Sequence, residues 1–209
     1  MERFGPLSLQ PRLDVKPWGG RLLAQFGLPL PSDALIGEAV ITAPEAVVGD
    51  GPLAGRTLGE IVAADPATAS GPLGLAATGG RPRFPLLIKL IDATENLSIQ
   101  VHPPDDMAVQ EDDGLGKTEA WHVLTAQPGS ALYLGLRPGV GQAEFAAAAS
   151  AGQPTASLMR RLDACPNTTY LIPAGTVHAL GAGVVIYEVQ QPSTITYRLD
   201  DWGRVDAAG

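Results

Sequence analysis

The stretch Ile172-Pro173-Ala174-Gly175-Thr176-Val177-His178 decides how the chain is read. It sits between two apolar runs, residues 168–172 and 184–190, that are rich in β-branched residues and too short for helices, so both read as strands. Pro173 and Gly175 fix a tight bend between them, and His178 opens the next strand. Working outward, the same pattern predicts strands over residues 86–91, 97–102, 119–124, 131–136 and 194–199. Seven short strands joined by turns predict a mainly β domain, a barrel or sandwich.

Composition agrees. The 209 residues include 25 glycines and 19 prolines lying between apolar runs rather than in a periodic array, and 45% of positions are hydrophobic, which excludes a disordered or fibrous chain. The length predicts one compact domain. Thr57-Leu58-Gly59-Glu60 fits a capping box, with Leu58, Ile61 and Val62 giving the apolar face of a short helix that ends near Asp65. Residues 1–34, with Lys16-Pro17-Trp18-Gly19-Gly20 in the middle, read as an irregular covering segment with Trp18 in the core. A Gly/Pro-rich connection is expected over residues 66–85. Residues 141–163 read as two short helices divided by Gly152 and Pro154. The expected organisation is therefore residues 1–84 covering and extending the barrel, 85–205 forming its core with a helical insertion at 141–163, and 206–209 as a tail.

A net charge of −8 provides no general attraction for nucleic acid or an anionic membrane, which predicts neither as a partner. Cys165 is the single cysteine, so neither an intrachain disulfide nor a thiolate metal cage can form. With no basic leader and no long apolar run, the expected compartment is the cytoplasm. Nothing in the pattern specifies an oligomeric state.

The chemistry concentrates in three places. In Ser98-Ile99-Gln100-Val101-His102, alternation puts Ser98, Gln100 and His102 on one strand face. In Lys117-Thr118-Glu119-Ala120-Trp121 it puts Lys117, Glu119 and Trp121 on a common side, leaving His122 on the other. His178 follows the Pro-Gly bend. Two imidazoles, a carboxylate and an amide oxygen suit Zn²⁺ or a similar divalent ion, with a position left open for water.

These motifs are part of an ordered set at residues 51–58, 84–92, 96–105, 116–121, 172–181, 188–193 and 197–204. The set resembles the type I mannose-6-phosphate isomerases of the cupin superfamily, in their short bacterial form. The resemblance implies a cupin, jelly-roll-like barrel with a small helical insertion. It implies one Zn²⁺ per chain on Gln100, His102, Glu119 and His178, and a sugar phosphate as the small-molecule partner. Lys117 and Arg198 match the family's cationic pair, and Ser98, Lys89 and Glu188 fall among the substrate-binding groups. The implied reaction interconverts mannose 6-phosphate and fructose 6-phosphate through a cis-enediol, moving a proton between C1 and C2.

Two departures stand out. Where relatives often carry Gly-Glu-Ser-Trp-Glu, this chain has Gly37-Glu38-Ala39-Val40-Ile41, and Thr194 stands where many have an aspartate four residues before the arginine. Both would permit the alternative of a non-catalytic, metal-bearing cupin that binds a sugar or sugar phosphate. A cupin dioxygenase using Fe²⁺ would prefer a site free of Lys117 and Arg198. Family members commonly continue into a second small barrel, and the ending soon after Arg204 predicts one cupin domain here.

Overall fold

The computed structural model describes residues 5–110 and 114–204; the expected tail, 206–209, lies outside them. The strands are β1 (Leu9–Gln10), β2 (Arg12–Gly20), β3 (Ile36–Val40), β4 (Val47–Val48), β5 (Leu87–Ala93), β6 (Ile99–Val101), β7 (Glu119–Ala126), β8 (Ala131–Leu136), β9 (Met159–Asp163), β10 (Thr169–Ile172), β11 (His178–Leu180), β12 (Val184–Gln190) and β13 (Tyr197–Asp200). The α-helices are α1 (Leu58–Ala64), α2 (Pro66–Ala77), α3 (Asp105–Ala108) and α4 (Gln142–Ser150). One sheet has the order β10-β7-β12-β5-β3-β2 and a second β13-β6-β11-β8-β9, both antiparallel, with β1 and β4 forming a small separate pair.

The two large sheets share a core. Ile91, Trp121, Val123, Val184 and Ile186 come from the first, and Leu132 and Leu180 from the second. This is the mainly β, cupin-like jelly roll that the sequence predicts, with the sheets facing one another rather than closing into a continuous barrel. A second cluster, Ile99, Phe145, Met159 and Ala179, ties α4 to the outer face of the second sheet. Alternation on β6 therefore works as read, with Ile99 in that cluster and Gln100 facing the other way.

The Pro-Gly bend forms as predicted. Gly175 has φ +83°, a conformation that favours glycine, and its N–H donates to the His102 carbonyl at 2.8 Å, so the turn before β11 is tied to the end of β6. The capping box also forms. Thr57 Oγ1 accepts from Glu60 N at 3.2 Å, and Glu60 Oε2 accepts from Thr57 N at 2.9 Å.

Three expectations are corrected. The segment at residues 1–34 contains the nine-residue β2. Arg12-Leu13-Asp14-Val15-Lys16 alternates, and β2 is an edge strand, where Pro17 leaves no central ladder bond unmade. The connection after Asp65 is helical. Asp65 caps α2 by accepting from Thr68 N at 3.1 Å, and Pro66 occupies the first turn before Gly71 and Pro72 kink it. After α4 the second expected helix is only a 3₁₀ turn, Ala156–Leu158, followed by β9. Beyond the 3₁₀ turn, pairing with β8 satisfies the backbone of residues 159–163 without a helix.

Candidate active site

His102, Glu119 and His178 meet where the two sheets face each other, Glu119 from β7 and the histidines from the ends of β6 and β11. They are 1–2% exposed, and one ligand atom from each lies within 4.8 Å of the other two. His178 Nε2 lies 3.3 Å from Glu119 Oε1 and His102 Nε2 3.4 Å from Oε2. The other ring nitrogens are engaged elsewhere. His102 Nδ1 lies 2.9 Å from the Ile195 carbonyl and His178 Nδ1 2.8 Å from the Thr176 carbonyl. A carbonyl only accepts, so each Nδ1 carries the proton and, in the neutral ring, each Nε2 turns a lone pair toward Glu119.

That leaves the carboxylate without a donor. Both Glu119 oxygens are buried and lack a hydrogen-bond partner among the described residues. Burial raises the Glu119 carboxyl, and the positive charge of Lys117, 3.4 Å away, opposes this, leaving Glu119 below its ordinary value. Burial lowers His178 to about 4 against the pull of Glu119, keeping its ring neutral near pH 7. An ionised carboxylate and inward-facing imidazole lone pairs, all shielded from water, are what a divalent cation requires and what an apolar core would not tolerate. The residues therefore fit a metal.

Gln100 touches the same point, its amide nitrogen 3.3 Å from His178 Nε2. Nitrogen and oxygen of an amide are interchangeable by a half-turn, and a cation between these groups favours Oε1 inward. Lys117 is buried beside the trio, its Nζ 3.0 Å from His102 Nε2 and 3.4 Å from Glu119 Oε2. Gln100, Lys117, Glu119 and Trp121 line a cavity of about 170 Å³ together with Ser98, Lys89, Glu188 and Arg198. All the site residues singled out in the sequence thus gather at one place. His122 does not: it pairs with Thr169 Oγ1 at 2.9 Å on the opposite face of β7.

A wider cleft of about 570 Å³ adjoins this cavity, both being lined by Lys16, Glu38, Lys89, Lys117 and Thr196. Five cations, Arg12, Lys16, Arg83, Lys89 and Lys117, face three carboxylates there, Asp14, Glu38 and Glu45. In a chain of net charge −8 the cleft is locally cationic. Lys89 lies opposite Glu188 in the β5–β12 ladder. Burial alone would lower Lys89, but Glu188, Glu38, Glu119 and Asp14 raise it above its ordinary value, so it stays charged. Burial, with Glu119 adding to it, pushes Glu188 up to about 7.

Residues 7–119 match the family described as phosphomannose isomerase type I, catalytic domain. The chain belongs to that family. It is 36% identical over 209 residues to the mannose-6-phosphate isomerase ManA of Bacillus subtilis, covering 98% of this chain and 63% of ManA. A mannose-6-phosphate isomerase from Streptococcus mutans is 35% identical over 209 residues, with 63% of its length covered. A solved mannose 6-phosphate isomerase from Bacillus subtilis superposes with a TM-score of 0.81 at 34% identity over 98% of this chain and 64% of that one. The chain thus spans a little under two thirds of these relatives.

Two residues at this site escape the sequence reading. Lys16 and Glu38 pair at 3.7 Å and line both cavities, and Trp18, expected in the core, packs against it while also lining the inner cavity. The alternation Arg12, Asp14, Lys16 is a signal for Lys16 alone, masked by the Pro and Gly residues that follow.

Proposed function

We propose that the chain carries the isomerase chemistry of its family, interconverting mannose 6-phosphate and fructose 6-phosphate through a cis-enediol with one Zn²⁺ held by Gln100, His102, Glu119 and His178. The observation that carries this reading is the buried Glu119 carboxylate, without a hydrogen-bond donor among the described residues, facing two histidine lone pairs with Lys117 at 3.4 Å. A divalent metal held by these residues would supply Lewis acidity toward the oxygens of the open-chain sugar.

The remaining tasks fall to side chains. Lys117 is buried beside the ligands and borders both cavities, which suits it to move the proton between C1 and C2. Arg198, on β13 opposite Gln100 and free of ion pairs among the described residues, stabilises the negative charge that grows on the enediolate oxygens. Ser98 and the charged Lys89 hold the phosphate, supported by the cationic lining of the cleft. Thr194 cannot serve as a carboxylate base, and Glu188, a carboxyl raised into the range where acid–base exchange is efficient, is the group on the inner cavity suited to assist ring opening.

Lys117→Met and Arg198→Met in the metal-loaded protein test the assignment. Both are expected to keep metal and fold while kcat falls at least ~10²-fold, the lower end for losing an acid–base group. Near-normal kcat in both variants moves the proton carrier elsewhere. A metal-loaded wild-type protein that binds mannose 6-phosphate but never forms fructose 6-phosphate replaces the enzyme with the sugar-phosphate-binding cupin that Thr194 allows.

A further inference from the structure

Lys117 sits on a segment, Gly116-Lys117-Thr118, that belongs to no strand or helix. Its backbone is nevertheless fastened at every N–H. Gly116 N donates to Asp105 Oδ1 at 2.7 Å, Lys117 N to the Pro103 carbonyl at 3.1 Å, and Thr118 N to Gln191 Oε1 at 2.8 Å. Gln191 N donates back to the Thr118 carbonyl at 3.0 Å. Gln191 Nε2 donates to Asp105 Oδ1 at 3.2 Å, joining the two side chains into one clamp over the segment. Gly116 is required for the approach, since a Cβ there would lie 2.6 Å from Asp105 N. Asp105 is the first residue of α3, yet its Oδ1 turns to the Lys117 segment. Neither Asp105 nor Gln191 lines either cavity.

We propose that Asp105 and Gln191 are positioning residues that hold Lys117 against the metal-binding trio without touching substrate. With the backbone pinned on both sides of Lys117, only its side chain can move, which limits how far Nζ departs from its 3.0–3.4 Å contacts with His102 and Glu119. Misplacing a reacting group by about 1 Å can cost ~10²-fold in rate, so two groups outside the cavities control the chemical step. The inference rests on the role given to Lys117 above.

The test uses the full metal-loaded chain with Asp105→Ala, Asp105→Asn and Gln191→Ala, and two readouts: steady-state kinetics on mannose 6-phosphate, and the rate at which an amine-acylating reagent labels Lys117, followed by mass spectrometry. Asp105→Ala is expected to keep its metal and its KM within about 3-fold, to lose kcat by roughly 10–100-fold, and to label faster at Lys117. Asp105→Asn retains an acceptor for both donors and should restore both readouts. The double Ala variant should be hardly worse than the more affected single one, because both side chains form one tether. Wild-type kcat and wild-type labelling in metal-loaded Asp105→Ala overturn the proposal. If Asp105→Ala does not fold, Gln191→Ala decides in the same way, with smaller changes expected and no change in either readout overturning the clamp. If the wild-type chain proves inactive on mannose 6-phosphate, the isomerase reading falls and labelling alone judges the clamp.

Discussion

At the scale of single residues, His178 and His122 provide an internal control. His178 turns a neutral lone pair into the trio, whereas His122, three residues after Glu119 and therefore on the opposite face of β7, bonds to Thr169 instead. His178→Ala is expected to lower metal affinity by more than the ~10–100-fold that a change outside the ligand set costs, while His122→Ala keeps one metal per chain. Elemental analysis of the two purified variants checks this, and equal metal content would contradict the ligand assignment. The donors are legible in the sequence because a period of two assigns each side chain to a face, and because the Pro-Gly bend fixes where His178 begins its strand. Lys16 and Glu38 are not legible. Their 3.7 Å contact depends on how β2 pairs with β3, and that pairing changes register twice, between Asp14 and Val15 and between Val15 and Gly20.

At the scale of elements, all seven runs expected to be strands are strands, with ends shifted by a few residues, whereas β1, β2, β3, β4, β9, α2 and α3 are not anticipated. The unanticipated strands gain their stability from neighbours distant in sequence: β3 pairs with β5, and β9 with β8 across the insertion. Local sequence carries no trace of those partners. One contact ties the insertion to the strand that carries Arg198. Asp200 Oδ2 accepts from Thr155 N at 2.7 Å and from Thr155 Oγ1 at 3.0 Å, and Oδ1 accepts from Trp202 N at 2.8 Å. Burial raises the Asp200 carboxyl, but the N–H groups of Thr155 and Trp202 outweigh it and hold it below its ordinary value. A carboxyl depressed in the folded state contributes stability above its unfolded pKa and loses it as pH falls through the folded one. Asp200→Asn keeps only one accepting oxygen and is expected to cost about 1–2 kcal/mol at pH 7, reduced for partial exposure, with the deficit shrinking as the solution is acidified below the carboxylate range. Denaturant unfolding of both proteins at several pH values measures it; a deficit that does not change with pH would show that the charge of Asp200 contributes nothing.

At the scale of the whole molecule, a net charge of −8 opposes the approach of a dianionic sugar phosphate, so recognition has to come from the local excess of cations in the cleft. Mannose without the phosphate should lose at least ~10-fold in kcat/KM, the rate equivalent of one charge-assisted hydrogen bond worth about 1.5–3 kcal/mol. Comparable kcat/KM for mannose and mannose 6-phosphate would remove the phosphate role from Ser98 and Lys89. The two facing sheets bring His102, Glu119 and His178 together, and the proposed proton transfer depends on the metal they would hold. Stripping the protein with a chelator and adding Zn²⁺ back in steps, while following exchange of the C2 proton of mannose 6-phosphate with solvent, tests that dependence most directly. Exchange should be absent in the stripped protein, rise in proportion to added metal and level off at one equivalent per chain. Exchange at full rate without metal, or none at any metal ratio, would contradict it.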